Sequence, residues 1–329
     1  MKRILVIRFS ALGDVAMAVP VVQSLAQQHP ELDITFLSKR MCAPLFAKMP
    51  QNVHFVGIDP QALQSFKNLK AFVENDLKIK QFDYVADLHS VLRTFYIKWR
   101  ALLHGAKVAT IDKGHPAKRR LTRAHCKRFV QLKNSTERYA DVLQRLGFTV
   151  TLDFTSLFAE KPASRHWVGF APFARHKGKI YPTEKSEKVV ELLSQRGWTV
   201  YLFGNGEREK SLLESWAAKY QNVICTAGKS TLQDELELMN ALDVMISMDS
   251  ANMHLASLAA TPVVSIWGAT HPFAGFMGWH QSMDNAVQLD LPCRPCSTFG
   301  NKACRRGDYA CLAGISPEMI VEKVEKIMQ

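Results

Sequence analysis

Short apolar runs alternate with amphipathic stretches along almost the whole chain. Runs rich in Val, Ile, Phe and Tyr predict β-strands at 3–9, 34–37, 53–58, 84–87, 108–111, 167–171, 199–203, 223–226, 244–246 and 263–266. Between several of them, apolar residues recur three and four positions apart, which is the period of a helix. Buried strands that alternate with helices are typical of parallel sheets covered on both faces. We therefore predict an α/β fold with doubly wound sheets.

The alternation is interrupted once, between residues 149 and 165. A helix predicted at 136–146 ends at Gly147, and the following stretch contains Pro162 and no clear period. We read it as a linker between an N-terminal domain, 1–160, and a C-terminal domain, 161–329. Ser316, Pro317 and Glu318 are typical of a helix start, so a last helix is expected at about 316–329.

Charge narrows the choice of partner. The 329 residues carry 42 Lys and Arg against 30 Asp and Glu, a formal net charge of +12. Such an excess indicates an anionic partner, which could be nucleic acid, a membrane surface or a phosphorylated substrate. No apolar run approaches the roughly 18 residues of a membrane span. Arg8 interrupts the first apolar run too early for a signal peptide, so we expect a cytoplasmic protein.

Residues 248–270 carry the strongest candidate site. The strand at 244–246 ends at Asp249-Ser250, which opens a helix containing His254, and Pro262 precedes the next strand. A helix start at a strand's carboxyl end favours anions, because its N–H groups are unpaired and the helix dipole is positive there. The alternative is that Ser250 is only a helix cap.

A second candidate site follows the first strand. Gly13-Asp14 lies in the turn before a helix expected at about 15–28, and places a carboxylate where α/β ligand clefts form. The dinucleotide pattern G-x-G-x-x-G is absent. His89 and Arg93 follow another strand end and could contact a ligand there, or be ordinary cap and surface residues.

Residues 113–133 hold eight Lys or Arg and no acidic residue. Arg119, Arg120 and Arg123 are at the centre of this basic run, which could bind an anionic ligand, lie on anionic lipid headgroups or be a solvated face. Phe129 is its only aromatic residue, and no nucleic-acid-binding motif is visible, so we expect no nucleic-acid partner.

The cysteines suggest a further possibility. Four of the seven cysteines cluster near the C-terminus, at Cys293, Cys296, Cys304 and Cys311. Such a set could form a tetrahedral zinc site, although the second pair lacks close spacing. The alternative is reduced thiols, and the main expectation is no metal.

The combination of motifs resembles glycosyltransferase family 9, the heptosyltransferases of lipopolysaccharide synthesis. The matching residues are Asp249, Ser250, His254, Pro262, Gly268, Thr270 and Pro272, with Ala251 where the family usually has Gly. Gly13-Asp14 resembles the family's N-terminal motif, and Lys179-x-Tyr181-Pro182 its phosphate-binding lysine motif. The resemblance implies a GT-B fold: two Rossmann-like domains that face each other across a cleft, with a last helix returning toward the N-terminal domain.

The resemblance also implies a reaction and roles for residues. A sugar, most simply heptose from ADP-heptose, would move with inversion onto a phosphorylated glycolipid such as lipopolysaccharide core or a lipid A-type acceptor, on the inner face of the inner membrane. Asp14 would be the catalytic base. The donor would meet Lys179, Arg175, Glu207, Asp249, Ser250, Ala251 and His254, and the acceptor would meet Gly13, His89, Arg93, Arg119, Arg120 and Arg123. No cofactor is expected, because Lys179, Ser250 and the helix start can offset the charge of the leaving group.

Two alternatives stay open from the sequence. One is a transferase of the same family that uses another nucleotide sugar, because sugar choice depends on a few loop contacts. The other is a non-catalytic protein that binds nucleic acid or another anionic ligand, which the charge alone would allow.

Overall fold

The computed structural model describes all 329 residues, and the chain divides into two compact units. The first unit comprises Met1–Lys113 and Ser135–Thr155, and the second comprises Gly114–Asn134 and Ser156–Gln329. The second unit thus begins near the expected boundary at residue 160, but it also takes in most of the basic run.

The strands are β1 (Lys2–Ile7), β2 (Leu32–Lys39), β3 (Val53–Ile58), β4 (Tyr84–Asp87), β5 (Lys107–Thr110), β6 (Trp167–Ala171), β7 (Thr199–Leu202), β8 (Val223–Cys225), β9 (Val244–Met248), β10 (Val263–Ile266) and β11 (Ala286–Val287). The helices are α1 (Leu12–Ala16), α2 (Val19–Gln28), α3 (Phe66–Ala71), α4 (Leu92–Leu103), α5 (His115–Leu121), α6 (Ser135–Leu146), α7 (Thr183–Gln195), α8 (Glu207–Lys219), α9 (Leu232–Ala241), α10 (Ala251–Leu258), α11 (Ala310–Ala313) and α12 (Pro317–Met328). None of the helices is both long and apolar enough to cross a membrane.

The first unit has a five-stranded parallel sheet in the order β3-β2-β1-β4-β5. Its central strand β1 is apolar on both faces, and Ile4, Leu5, Val6 and Ile7 are all buried. The helix expected at 15–28 is two helices, α1 and α2. Pro20 has no N–H to bond the Ala16 carbonyl, so one continuous helix cannot run through this point.

The second unit has a six-stranded parallel sheet in the order β11-β10-β9-β6-β7-β8. The sequence did not predict β11, because two residues are too few to show a period. The last helix, α12, buries Ile320, Val321 and Val324 in the core of this unit and packs on α7.

The basic run forms α5 and an extended segment that packs within the second unit. Lys127 Nζ donates to the carbonyls of Pro292 and Arg294 at 2.9 and 2.8 Å. The Phe129 ring lies 4.8 Å from that of His271, and Lys118 Nζ lies 4.2 Å from the centre of the Phe276 ring. These contacts explain why a segment expected in the N-terminal domain belongs to the second unit.

Candidate functional site

Each sheet has a point where the strand order reverses, and ligands of open α/β sheets bind at the carboxyl ends of the strands there. In the first unit this point lies between β1 and β4, and in the second between β6 and β9. Asp14 and His89 follow β1 and β4, whereas Lys179 and Asp249 follow β6 and β9. The topology therefore brings the predicted residues to the two positions where ligands are expected.

In the first unit, Asp14 is held by Arg8 at the end of β1. Arg8 Nη2 lies 2.7 Å from Asp14 Oδ2, which also accepts a hydrogen bond from the Ala11 N–H at 3.0 Å. The other oxygen, Oδ1, has no hydrogen-bond partner, and the Asp14 side chain is 28% exposed. The turn thus fixes one carboxylate oxygen and leaves the other accessible.

Arg8 is a site residue that the sequence interpretation missed, although its place at the end of an apolar strand was a signal. Its side chain is buried, and Nη1 donates to the Leu88 carbonyl after β4 at 2.6 Å. Its Nε is buried without a hydrogen-bond partner. Arg8 therefore connects the loops after β1 and β4 and places a buried positive charge beside Asp14.

His89 lies beside the same charge. Burial, followed by the positive charges of Arg8 and Lys113, lowers the pKa of His89 to about 4. Nδ1 accepts from the Phe9 N–H at 3.4 Å, so Nε2 carries the proton of the neutral ring. At neutral pH the ring can thus donate one hydrogen bond to an oxygen ligand.

The neighbouring Asp87 is a structural residue. It is fully buried and accepts from the backbone N–H groups of His89 and Ser90 at 2.9 and 2.8 Å. Thr94 Oγ1 and Lys98 Nζ each lie 2.9 Å from its Oδ2. Asp87 therefore shapes the loop that carries His89.

The other residues expected at the acceptor belong to both units. Gly13 is buried in α1 next to Asp14, whereas Arg93 lies on the exposed side of α4 and forms no ion pair or hydrogen bond. Arg119, Arg120 and Arg123 are exposed in or just after α5, which belongs to the second unit.

In the second unit, Lys179 and Asp249 form a nearly buried ion pair. Lys179 Nζ lies 3.0 Å from Asp249 Oδ2, and the two side chains are 16% and 5% exposed. Residues 177–179 form a 3₁₀ turn after β6, and Asp249 directly follows β9. Asp249 therefore orients the lysine for which the motif resemblance implies a phosphate-binding role.

Three glycines let the loops around Lys179 pack closely. A Cβ on Gly300 would lie 2.4 Å from Lys179 Cγ, and one on Gly178 would lie 2.8 Å from the Gly300 carbonyl oxygen. A Cβ on Gly268 would lie 2.6 Å from the Gly178 carbonyl oxygen. Any side chain at these positions would push the loops apart, so the glycines fix the position of Lys179.

The start of α10 is uncapped. Ser250 occupies the N-cap position, but its hydroxyl accepts no hydrogen bond from the helix backbone, contrary to the cap alternative. Instead it lies 3.2 Å from the Ser247 hydroxyl. The N–H groups that begin at Ala251 are therefore not used by a cap, and His254 is buried one turn further on.

The remaining donor candidates are Arg175 and Glu207. Arg175 is exposed in the loop after β6, close enough to His176 to contribute, after burial and Lys179, to lowering its pKa. Glu207 is the exposed first residue of α8, after β7. The side chains of Arg175 and Glu207 form no ion pair or hydrogen bond with other residues.

Arg294 supports the loop between β10 and the 3₁₀ turn at Pro272–Ala274. It is 5% exposed, and its guanidinium donates to the carbonyls of Gly268 at 2.5 Å and Thr270 at 3.0 Å. It also donates to Gln288 and to the Leu289 carbonyl. Thr270 Oγ1 is buried without a partner. No sequence pattern indicates a role for Arg294, because its acceptors are mainly backbone carbonyls of residues distant in the sequence.

The cysteines do not form a metal site in this structure. All seven are free thiols, and no group of three or more His, Cys, Asp or Glu side chains is placed to hold a metal ion. Burial raises the pKa of Cys311 to about 11 and also raises the pKa of Cys296. Both are thus protonated at neutral pH.

Comparison with known proteins assigns a family to this arrangement. The family model for glycosyltransferase family 9 (heptosyltransferase) matches residues 76–305. Lipopolysaccharide heptosyltransferase 3 of Escherichia coli K12 is 26% identical over 84% of both chains. Lipooligosaccharide heptosyltransferase 2 of Haemophilus influenzae is 23% identical over 99% of both chains.

Solved structures agree in fold. The E. coli heptosyltransferase WaaC with ADP superposes with a TM-score of 0.71 at 16% identity, over 99% of both chains. A family 9 glycosyltransferase from Veillonella parvula superposes with a TM-score of 0.75 at 20% identity, over 99% of this chain and 97% of that one. This likeness confirms the predicted GT-B fold class.

Proposed function

Because this chain belongs to glycosyltransferase family 9, we propose that it transfers heptose from ADP-heptose to a lipopolysaccharide core or lipid A-type acceptor, with inversion at the anomeric carbon. The chain is a glycosyltransferase, which sets aside the non-catalytic binder. The observation that carries the donor assignment is the Lys179–Asp249 ion pair beside the uncapped start of α10.

The donor pyrophosphate is assigned to the second unit. A lysine ammonium and free N–H groups at a helix start are the usual protein partners of phosphate. In the reaction the bond between the anomeric carbon and the diphosphate oxygen breaks, and the diphosphate leaves with the bonding electrons. Preorganised donors offset this charge, so no metal ion is required. The exposed Glu207 is a candidate acceptor for ribose hydroxyls.

The acceptor hydroxyl is assigned to the first unit, with Asp14 as the base. Its Oδ1 takes the proton while the acceptor oxygen forms a bond to the anomeric carbon on the face opposite the diphosphate. Attack from that face inverts the configuration. Arg8 keeps the carboxylate oriented, and Arg8, Lys113 and the neutral His89 suit an anionic, hydroxyl-rich ligand.

The donor sugar is supported by relatives alone. The names of similar proteins are lipopolysaccharide and lipooligosaccharide heptosyltransferases, and one similar structure was solved with ADP. A glycolipid acceptor is held in a membrane, so we propose a peripheral position on the inner face of the inner membrane.

Thermal shift with nucleotides tests which nucleobase the donor carries, and product analysis tests which sugar is transferred. Saturating ADP should raise the melting temperature, since a ligand at 100 times its Kd adds about 2.7 kcal/mol of stability, and UDP should have little effect. ADP-heptose and a heptose-free core acceptor should yield ADP and a heptosylated product. Stabilisation by UDP in place of ADP would favour the same-family transferase with another nucleotide sugar.

A further inference from the structure

The outward side of α4 is apolar, whereas a surface helix ordinarily presents polar groups to water. Thr94, Ile97 and Ala101 are buried on the inward side. The exposed apolar side chains form what we term the α4 face: Leu92, Phe95, Trp99, Leu102 and Leu103. Leu92 is 87% exposed and Phe95 64%. Nothing in the described chain covers these side chains.

The face is concentrated and extends to α3. Five of the thirteen large apolar side chains exposed on the chain belong to this one helix. Phe66, also 64% exposed, places its ring 4.8 Å from that of Tyr96, which lies 6.1 Å from the Trp99 ring. A contiguous apolar patch on an isolated chain marks an interaction surface.

The edge of the face is cationic. The α4 sequence contains no acidic residue, and Arg93 is exposed. Lys67 and Lys70 are exposed on α3 beside Phe66. Arg100 lies 5.8 Å from the Trp99 ring and forms an ion pair with Glu74. Arg100 is the largest cause of the lowered pKa of Glu74, and His104 and Lys70 lower that pKa further. The single carboxylate of Glu74 therefore lies among several basic side chains.

We propose that the α4 face docks on the surface of an anionic phospholipid bilayer. Leu, Phe and Trp on one side of a helix with Lys and Arg at its edge are typical of helices that lie in the membrane interface. A second copy of the chain fits less well, because a two-fold contact sets the same patch of both copies face to face and so brings together two surfaces that both carry the exposed Arg93, Lys67 and Lys70. The choice of a lipid surface rests in part on the proposed function, since a glycolipid acceptor is embedded in a bilayer.

Vesicle flotation of the full chain, without donor or acceptor, tests the proposal. The wild-type protein should float with vesicles of phosphatidylcholine and phosphatidylglycerol, less with phosphatidylcholine alone, and less at high salt. Phe95→Ser combined with Trp99→Ser should lower partition by roughly tenfold or more, because two apolar side chains leave the interface. The matched control is Ile224→Ser with Met283→Ser, which removes exposed apolar side chains of the second unit. Unchanged melting temperatures would show that both variants fold.

The proposal would be overturned by a wild-type chain that fails to float with the anionic vesicles, or by equal partition of the wild type and the Phe95→Ser/Trp99→Ser variant. A dimer in sedimentation velocity that this variant dissociates would instead assign the face to a second copy. Transfer to an acyl-free acceptor saccharide should be equal in the wild type and the variant. A wild-type chain that floats but transfers no heptose would contradict the proposed function and leave the docking surface intact.

Discussion

Arg8 and Asp14 form a 2.7 Å ion pair across the turn between β1 and α1. The same guanidinium donates to the Leu88 carbonyl after β4, so one buried side chain fixes both loops at the strand-order reversal of the first unit. A fixed side-chain position favours a general base, because a base must first lie within hydrogen-bond reach of the proton that it takes, whatever its pKa. The pair therefore makes Asp14 Oδ1 a positioned acceptor.

The first prediction concerns Asp14. Asp14→Asn should lower turnover by roughly 10²–10⁴, because the amide cannot take the acceptor proton. Binding of ADP should be unchanged, since the donor is assigned to the second unit. Steady-state transfer and ADP titration measure the two effects, and Asp59→Asn, which alters an exposed ion pair with Arg40, is the control. Turnover within a few-fold of the wild type would remove Asp14 as the base.

Several features of the fold followed from the sequence because they depend on local periodicity. The strands β3, β4, β6 and β10 have the predicted bounds, and the candidate residues His89 and Lys179 follow β4 and β6. Long-range pairing could not be predicted. Lys179 and Asp249 are seventy positions apart in the sequence. Arg294 donates to backbone carbonyls, which every residue has, so no residue type marks its partners. The basic run looked like part of the first domain because its contacts lie with residues near 273–294.

A second prediction concerns the effect of acid pH on stability through His271. Burial, and then Arg294, lower the pKa of His271 from 6.5 to about 4. The fold therefore favours the neutral ring, so its contribution to stability is complete above pH 6.5 and is lost as pH falls toward 4. Between pH 7 and pH 5 the loss should be about 2 kcal/mol. Denaturant unfolding at both pH values should show a smaller loss in His271→Asn than in the wild type, with exposed His54→Asn as control. Equal losses in all three proteins would contradict the assignment.

A third prediction is that Arg294 positions the Gly268–Thr270 loop. Arg294→Lys keeps the charge but cannot donate to four acceptors in the planar geometry of guanidinium. Leaving buried carbonyls unpaired should cost about 1–3 kcal/mol of stability, and the loosened loop should bind ADP more weakly. Arg306→Lys changes only an exposed pair with Asp308 and is the control. Calorimetric titration of ADP separates the roles, because lower stability with unchanged ADP affinity would leave Arg294 a purely structural residue.

A fourth prediction tests the exposed part of the basic run. Replacing Arg119, Arg120 and Arg123 together by Ser should raise the KM for a phosphorylated acceptor and reduce the salt dependence of the rate. Because all three side chains are exposed, stability should be unaffected. Kinetics at low and high salt check this, and the control is Arg196→Ser, which removes a single cation from an exposed pair with Glu325. Unchanged kinetics would make the arginines a solvated surface.

The last prediction is that Lys179 and the start of α10 hold the donor pyrophosphate without a divalent ion. A nucleoside diphosphate carries about two to three negative charges, and metal-dependent enzymes commonly offset them with Mg²⁺ held by carboxylates. Here Asp249 is already paired with Lys179, and no Asp-x-Asp occurs in the chain. Lys179→Ala should weaken ADP binding by roughly 1.5–3 kcal/mol, the contribution of a charge-assisted hydrogen bond.

Gly300→Ala provides a further test of the same lysine. The Ala Cβ would lie 2.4 Å from Lys179 Cγ, and the Gly300 φ of +74° is itself strained for Ala, so the loop that holds the ammonium beside Asp249 would shift. It should therefore weaken ADP binding in the same direction, whereas Lys188→Ala, at a surface pair with Glu191, should not. Transfer by the wild type should persist in EDTA. A complete loss of transfer in EDTA that Mg²⁺ restores would contradict the metal-free assignment. Asp249 would then be a candidate ligand of the metal ion and not only the ion-pair partner of Lys179.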